Sequence, residues 1–330
     1  MGEMMKAKDA KKIMDKISEY PNIVLLRHVS PDPDCLGSQL ALRDLIKRLF
    51  KDKNVYAFGK GAPHLSYLGE LDEVKKLDSK NTLAIVLDTP DKKRIDVDNL
   101  DVFDYLIKID HHPFDHEYCD YEYIDDTASS VCEVIISFCE CLEIELREDE
   151  AKKLYTGIVS DTERFLQSYT KPKTFSFVSR LVDNEKVDIT DVYNNLYLRP
   201  LEDYKLMGYI YEHVVIMESG FAYIKLSREW LRKNNIDTQI VGKIANCLNY
   251  IKEILSWAII TEEETSIRLA LRSRGPIVNE IAIKYGGGGH KYISGVSLKS
   301  FDEVEKIIKE LSENCVNYKK ISMKRTPKCS

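Results

Sequence analysis

Four short apolar runs, at residues 23–26, 55–58, 83–87 and 105–109, restrict what this chain can fold into more than any other feature. Each is too short to cross a bilayer, and apart from Lys108 they lack the polar alternation of a strand with one wet face. Segments with helical spacing of apolar residues fall around them, at about 6–19, 37–51, 66–76, 129–142 and 149–159, with a further helix at 172–182. That alternation predicts a parallel sheet covered on both faces. Sheets of this kind gather ligands beyond the carboxyl ends of their strands. Three of the runs end in chemically capable residues: the first in RHVSPDPDCLGS, the third in Asp88, and the fourth in Asp110, His111 and His112.

The stretch RHVSPDPDCLGS (27–38) packs His28, Asp32 and Asp34 into one strand-to-helix turn. Pro31 and Pro33 stiffen the turn by fixing φ, and Gly37 and Ser38 are expected to open the helix carrying Leu40, Leu42, Leu45, Ile46 and Leu49. Oxygen and imidazole donors in this mixture suit hard divalent cations such as Mn²⁺. A later segment, TGIVSDTERF, sets Asp161 after another apolar stretch. An aspartate at a strand end often serves only as a helix cap or turn former. Taken together, His28, Asp32, Asp34, Asp88, His111 and Asp161 supply four carboxylates and two imidazoles, enough for two divalent ions with one carboxylate between them.

After about residue 183 the pattern weakens, and a second block begins. Strands are expected at 213–218, 221–227, 256–261 and 266–272, with helices at 238–248, 276–284 and 301–312. The turns at Glu218–Ser219–Gly220 and Glu262–Thr265 read as hairpins, and the Lys-rich tail after Asn317 as frayed. The expected fold class is α/β, with a three-layer parallel-sheet domain at residues 1–185 and a connecting segment at 186–205. A smaller α/β domain with a mixed sheet follows at 206–320, across a cleft.

Composition narrows the function. With 44% hydrophobic and 31% charged residues the chain reads as an ordinary globular protein. A net charge of −6 gives no basic surface for long duplex nucleic acid, and no apolar run suggests a membrane partner. The segment MGEMMKAKDAKKIMDKI is an amphipathic charged helix without a signal-peptide core, so a cytoplasmic location is expected. The eight cysteines form no CxxC pair and read as reduced, mostly buried thiols. Cys35 reads as a small packed residue.

These motifs resemble the DHH phosphoesterase family, whose name is the triplet standing here as Asp110–His111–His112. HVSPDPDCLGS, VLDTPD, KIDHHPF and GIVSDTERF are similar to its four motifs in order. GGGGHKYISG (286–295) and RLALRSRG (268–275) are similar to its C-terminal DHH-associated domain of type 1. The chain looks most similar to the stand-alone NrnA-like branch, oligoribonucleases that also act on 3′-phosphoadenosine 5′-phosphate (pAp).

The resemblance implies two Mn²⁺ ions per chain, with Mg²⁺ or Co²⁺ as substitutes. His28, Asp32 and Asp88 would hold one, and Asp34, Asp88, His111 and Asp161 the other. It implies that His112 meets the scissile phosphate while Asp110 orients the histidine pair. Arg272, Ser273, Arg274, Gly287, Gly288, Gly289 and His290 would hold the rest of the substrate, and the family suggests a homodimer. The implied substrates are short single-stranded RNA, dinucleotides and pAp. Linear or cyclic dinucleotides such as pApA are the alternative, and a non-catalytic nucleotide-binding protein is the rival of another class. Departures from the family pattern are Ser30, Pro33, Cys35, Glu163 and Ile293, and none removes a proposed ligand.

Overall fold

The computed structural model describes residues 5–73, 80–114 and 116–325, with every side chain but those of Gln239, His290 and residues 323–325. It divides into two compact units, Met1–Leu198 and Arg199–Ser330. The first runs α1 (Ala7–Glu19), β1 (Asn22–Leu26), α2 (Pro33–Leu49), β2 (Asn54–Ala57), β3 (Thr82–Leu87), β4 (Tyr105–Asp110), β5 (Tyr121–Ile124), α3 (Val131–Cys141), α4 (Glu148–Asp161), α5 (Pro172–Asp183) and α6 (Ile189–Tyr197). The strands form one parallel sheet in the order β2-β1-β3-β4-β5.

The four apolar runs are β1 to β4, of which β2 lies at one edge of the sheet, and β3 is buried at every residue. Ile23, Leu25, Ile85, Leu87, Ile107 and Ile109 point to one face, where they pack with residues of the helices such as Ile13, Leu42, Ile135 and Ile158. Val24, Leu26, Ala84 and Val86 point to the other. Among the described residues that second face is covered by Ile95, Leu100 and Phe103 of the β3–β4 connection, whose regular structure is one 3₁₀ turn, Lys92–Arg94. Irregular chain therefore does there what a helix was expected to do.

The order 2-1-3-4-5 means that the chain leaves β1 toward one edge and returns to β3 on its other side. The crevice beyond β1 and β3 is thus the switch point where such sheets seat ligands.

The second unit runs α7 (Leu201–His213), β6 (Val215–Ile216), β7 (Phe221–Leu226), α8 (Arg228–Lys233), α9 (Thr238–Lys243), β8 (Ser256–Glu262), β9 (Ile267–Ser273), α10 (Asn279–Lys284), β10 (Gly288–His290), β11 (Ile293–Leu298) and α11 (Phe301–Arg325). Its sheet, β10-β11-β9-β8-β7-β6, is mixed: β7 and β8 are parallel and the other neighbours antiparallel. Both expected hairpin turns are present.

Several expectations are corrected. Helix α2 begins at Pro33, four residues before Gly37, because Asp32 caps it. The helix expected at 66–76 is a 3₁₀ turn, Pro63–Leu68, followed by irregular chain to residue 73, and the remainder lies outside the described residues. The strand expected from 213 is short because α7 runs through His213. The helix at 238–248 divides into α9 and a 3₁₀ turn, Ala245–Tyr250. Of the tail expected to fray, residues 318–325 continue α11, with Lys319 Nζ donating to the Glu218 carbonyl at 3.0 Å, and residues 326–330 lie outside the described residues. The seven described cysteines are free thiols, and Cys329 lies outside the described residues. Among the described residues, no helix is long and apolar enough to cross a membrane.

Candidate metal centre

Asp88 stands directly beyond β3, its backbone in the left-handed region at φ +53° and its N–H donating to Ile109 O at 3.2 Å. That turn aims its two oxygens in different directions. Oδ2 lies 3.5 Å from His28 Nε2, whereas Oδ1 lies 3.5 Å from His111 Nε2 and 3.4 Å from His112 Nδ1. Asp88 is buried, and Oδ1 has no hydrogen-bond partner.

The other donors are fixed by the backbone around them. His28 Nδ1 donates to its neighbour Val29 O at 2.9 Å, which leaves Nε2 as the ring's free nitrogen. Asp32 uses Oδ1 to accept from the Asp34 and Cys35 N–H groups at 3.1 and 3.0 Å, the cap of α2. Its Oδ2 remains, 3.6 Å from His28 Nε2. Asp34 accepts from Val131 N and Cys132 N, at 2.8 and 2.9 Å, so the first amides of α3 hold its carboxylate. Asp161 ends α4, with Oδ2 3.5 Å from His111 Nε2, and Asp34 Oδ2 is 4.0 Å from the same nitrogen.

Asp110 organises the last turn. Its Oδ1 accepts from the backbone N–H groups of His111 and His112 at 2.8 and 3.1 Å, and from His112 Nδ1 at 2.9 Å. His112 is thereby turned to present Nε2 outward.

The sheet order therefore brings His28, Asp32, Asp34, Asp88, Asp110, His111, His112 and Asp161 together. Their donor atoms fall into three overlapping groups, each within 4.8 Å: His28–Asp32–Cys35–Asp88, Asp88–His111–His112 and Asp34–His111–Asp161. Separations of 3.4–4.0 Å are too long for good hydrogen bonds. They are near the spacing of two ligands that share a cation at about 2.1 Å from each. An unpartnered buried carboxylate oxygen and donors at this spacing fit hard divalent cations.

The electrostatics agree. Burial, then the charge of Asp88, pushes Asp34 up to about 6, and burial and Asp34 push Asp161 up as well. Burial would also raise Asp88, but the nearby imidazoles of His111 and His28 hold it well below the usual carboxylate range. Burial would lower His28 and His111, yet the neighbouring carboxylates of Asp32 and Asp88 raise the first and that of Asp88 the second. Imidazoles with raised pKa carry protons near neutrality that a cation must displace. Mn²⁺ binding is therefore expected to release protons and to tighten as pH rises. Calorimetric titration in buffers of different ionisation enthalpy checks this, and affinity independent of pH would contradict it.

In the C-terminal unit, considered by itself, Arg272 on β9 bonds Asn246 Oδ1 through Nε at 2.9 Å and Leu271 O through Nη1 at 2.9 Å. Arg274 spends its Nη2 on the Ile251 and Ile254 carbonyls, and Ser273 Oγ contacts Leu255 O at 3.4 Å. These two brace a loop, which leaves Arg272 as the better placed charge. The glycine run divides in the same way. A Cβ on Gly287 would lie 2.2 Å from Gly295 O and one on Gly289 2.4 Å from Ile293 O, so both glycines are demanded by β11. Gly288 faces open space. The His290 side chain lies outside the described residues.

The long-range partners that fix the site, Val131 and Cys132 for Asp34 and Asn246 for Arg272, left no signal in the sequence, because a backbone amide or a single asparagine carries no pattern.

Comparison with known proteins extends the geometry. The profile of the "DHH family, N-terminal domain" matches residues 22–158, and that of the "DHHA1 domain" matches residues 218–317. A bifunctional oligoribonuclease and PAP phosphatase NrnA of Bacillus subtilis is 37% identical over 91% of this chain and 96% of its own. A probable enzyme of the same description from Streptococcus mutans is 37% identical over 91% and 97%. Among solved structures, an exopolyphosphatase-related protein from Bacteroides fragilis has the same fold, with TM-score 0.80 at 22% identity over 93% of this chain and 97% of that one.

Proposed function

The chain belongs to the DHH family of phosphoesterases, metal-dependent hydrolases, and from that premise we propose that it hydrolyses short 5′-phosphorylated oligoribonucleotides to mononucleotides and pAp to AMP. The observation that carries the reading is Asp88, with one carboxylate oxygen toward His28 and the other toward His111. The substrate class is supported by the two relatives at 37% identity, described as oligoribonucleases and PAP phosphatases. Such substrates arise in the cytoplasm, the location this reading carries.

In this reading two Mn²⁺ ions would be held, one by His28, Asp32 and Asp88 and the other by Asp34, Asp88, His111 and Asp161. Such a pair supplies neutralisation of the phosphoryl charge and makes a water nucleophilic near neutral pH. The chain's own residues do the rest. Water forms the new P–O bond, the ester P–O bond breaks, and the departing oxygen takes a proton. Asp110 holds His112 through Nδ1, so a protonated His112 donates from Nε2 to a phosphoryl oxygen or to the leaving oxygen. Arg272, with the backbone at Gly288 and the residue His290, would hold the remaining phosphate of the substrate.

A turnover panel with Mn²⁺ tests this: pAp, 5′-phosphorylated RNA of two to five nucleotides, linear and cyclic dinucleotides, and pyrophosphate. Short RNA and pAp are expected to be the fastest, and fastest cleavage of a cyclic dinucleotide or pyrophosphate would overturn the assignment. Arg272→Ala is expected to raise KM for a 5′-phosphorylated dinucleotide about tenfold or more, the worth of one lost charge-assisted contact. Unchanged kinetics would remove Arg272 from the site.

A further inference from the structure

We infer that Cys35 is a ligand of the first cation position, which makes that position a nitrogen–oxygen–sulfur site favouring thiophilic divalent ions over Mn²⁺. The inference rests on the two-cation reading above and concerns which ions the pair accepts.

Cys35 follows the cap residue Asp32 by three positions, and residues so spaced share one face of a helix. Its side chain is fully buried, and Sγ lies 3.4 Å from Asp32 O. The sulfur also lies within 4.8 Å of the donor atoms of His28, Asp32 and Asp88, the three residues assigned to that cation.

The neighbouring thiol provides a contrast. Cys132 is equally buried, but its sulfur contacts Asp34 O at 3.5 Å and packs where Gly157 makes room, outside the three donor groups. Proximity of a cysteine to the centre is therefore not enough, and Cys35 alone of the two faces the donors.

Three ligands leave a hard cation free to fill its shell with water. A fourth donor of soft sulfur shifts the preference toward Zn²⁺ and Co²⁺. Coordination breaks the S–H bond, forms the sulfur–metal bond and sends the proton to solvent, with no change of oxidation state. The second position, built from Asp34, Asp88, His111 and Asp161, holds only oxygen and nitrogen. The two positions should thus differ in metal preference.

Co²⁺ titration of the intact protein, followed by absorption together with metal analysis, is the test. Two Co²⁺ per chain with a sulfur-to-cobalt charge-transfer band in the near ultraviolet are expected. Cys35→Ala and Cys35→Ser are expected to keep two Co²⁺ and lose the band, with Zn²⁺-over-Mn²⁺ selectivity reduced about tenfold or more. Two bound Co²⁺ without the band in the native protein would overturn the thiol ligand and leave the two-cation reading intact. Fewer than two would overturn that reading and this one with it. The native spectrum decides the matter even where a variant does not fold.

Discussion

Replacing Asp88 with asparagine is expected to remove both cation positions in one step and to lower turnover of pAp by roughly 10⁴-fold or more. The size follows from the two directions in which this carboxylate faces. Every other donor belongs to one side of the centre, and only Asp88 approaches His28 with one oxygen and His111 with the other. Asparagine is the instructive substitute because it tolerates the φ of +53° at this turn and keeps the side-chain volume. Alanine would add strain and a cavity, so a loss of activity with it would be harder to read. An unchanged far-ultraviolet spectrum, with metal content near zero, is the expected accompaniment. Turnover within tenfold of the native enzyme would mean that Asp88 does not bridge.

Gly157→Ala is expected to destabilise the fold by about 1–3 kcal/mol and to weaken metal binding through Asp34, although residue 157 is not itself a proposed ligand. A Cβ there would lie 2.3 Å from Cys132 Sγ, 2.8 Å from Asp34 Oδ1 and 3.0 Å from Asp34 Cα. The last of these is backbone and has little room to give. Helix α4 must therefore withdraw from the start of α2, and Asp34 turns away from the α3 amides that fix it. Thermal unfolding would register the first effect, at roughly 2–4 °C per kcal/mol for a domain of this size. Mn²⁺ titration would register the second. A variant as stable as the native protein would show that the close approach of these helices is not needed.

Much of this architecture was legible because one pattern carried it. A mostly apolar strand followed within two residues by His or Asp identifies a buried parallel strand and the residue at its functional end, and β1, β3 and β4 all have that form, with Lys108 the charged residue inside β4. The sheet order then makes six scattered residues neighbours. What escaped was written in weaker signals. Tyr121–Ile124 reads YEYI, which alternates aromatic with polar residues at the sheet edge and lacks the apolar run of an inner strand. The start of α2 was misplaced because Asp32 has two tasks, capping with one oxygen and facing His28 with the other.

The turn after Asp161 gave no sign of itself either. Glu163, Arg164 and Phe165 stand in succession at φ +46°, +65° and +68°, a left-handed conformation that ordinary residues seldom adopt even singly. Their cost is offset by specific contacts: Arg164 N–H to Val159 O at 2.8 Å, Phe165 N–H to Thr162 Oγ1 at 3.0 Å, and the Phe165 and Phe175 rings 5.4 Å apart. Such compensation is tertiary, and nothing in the letters ERF announces it. The glycine run carries a second demand that its letters do not show. Its abundance suggested a phosphate cradle, and Gly287 and Gly289 are also required by close packing on β11. Gly286 and Gly288 keep the open face that a ligand would need.

Electron paramagnetic resonance of the protein titrated with Mn²⁺ addresses the central claim most directly, because a shared carboxylate couples the spins of the ions it joins. The account predicts two Mn²⁺ per chain and, at saturation, the spectrum of an exchange-coupled pair. A single bound ion, or two whose signals stay independent, would contradict it.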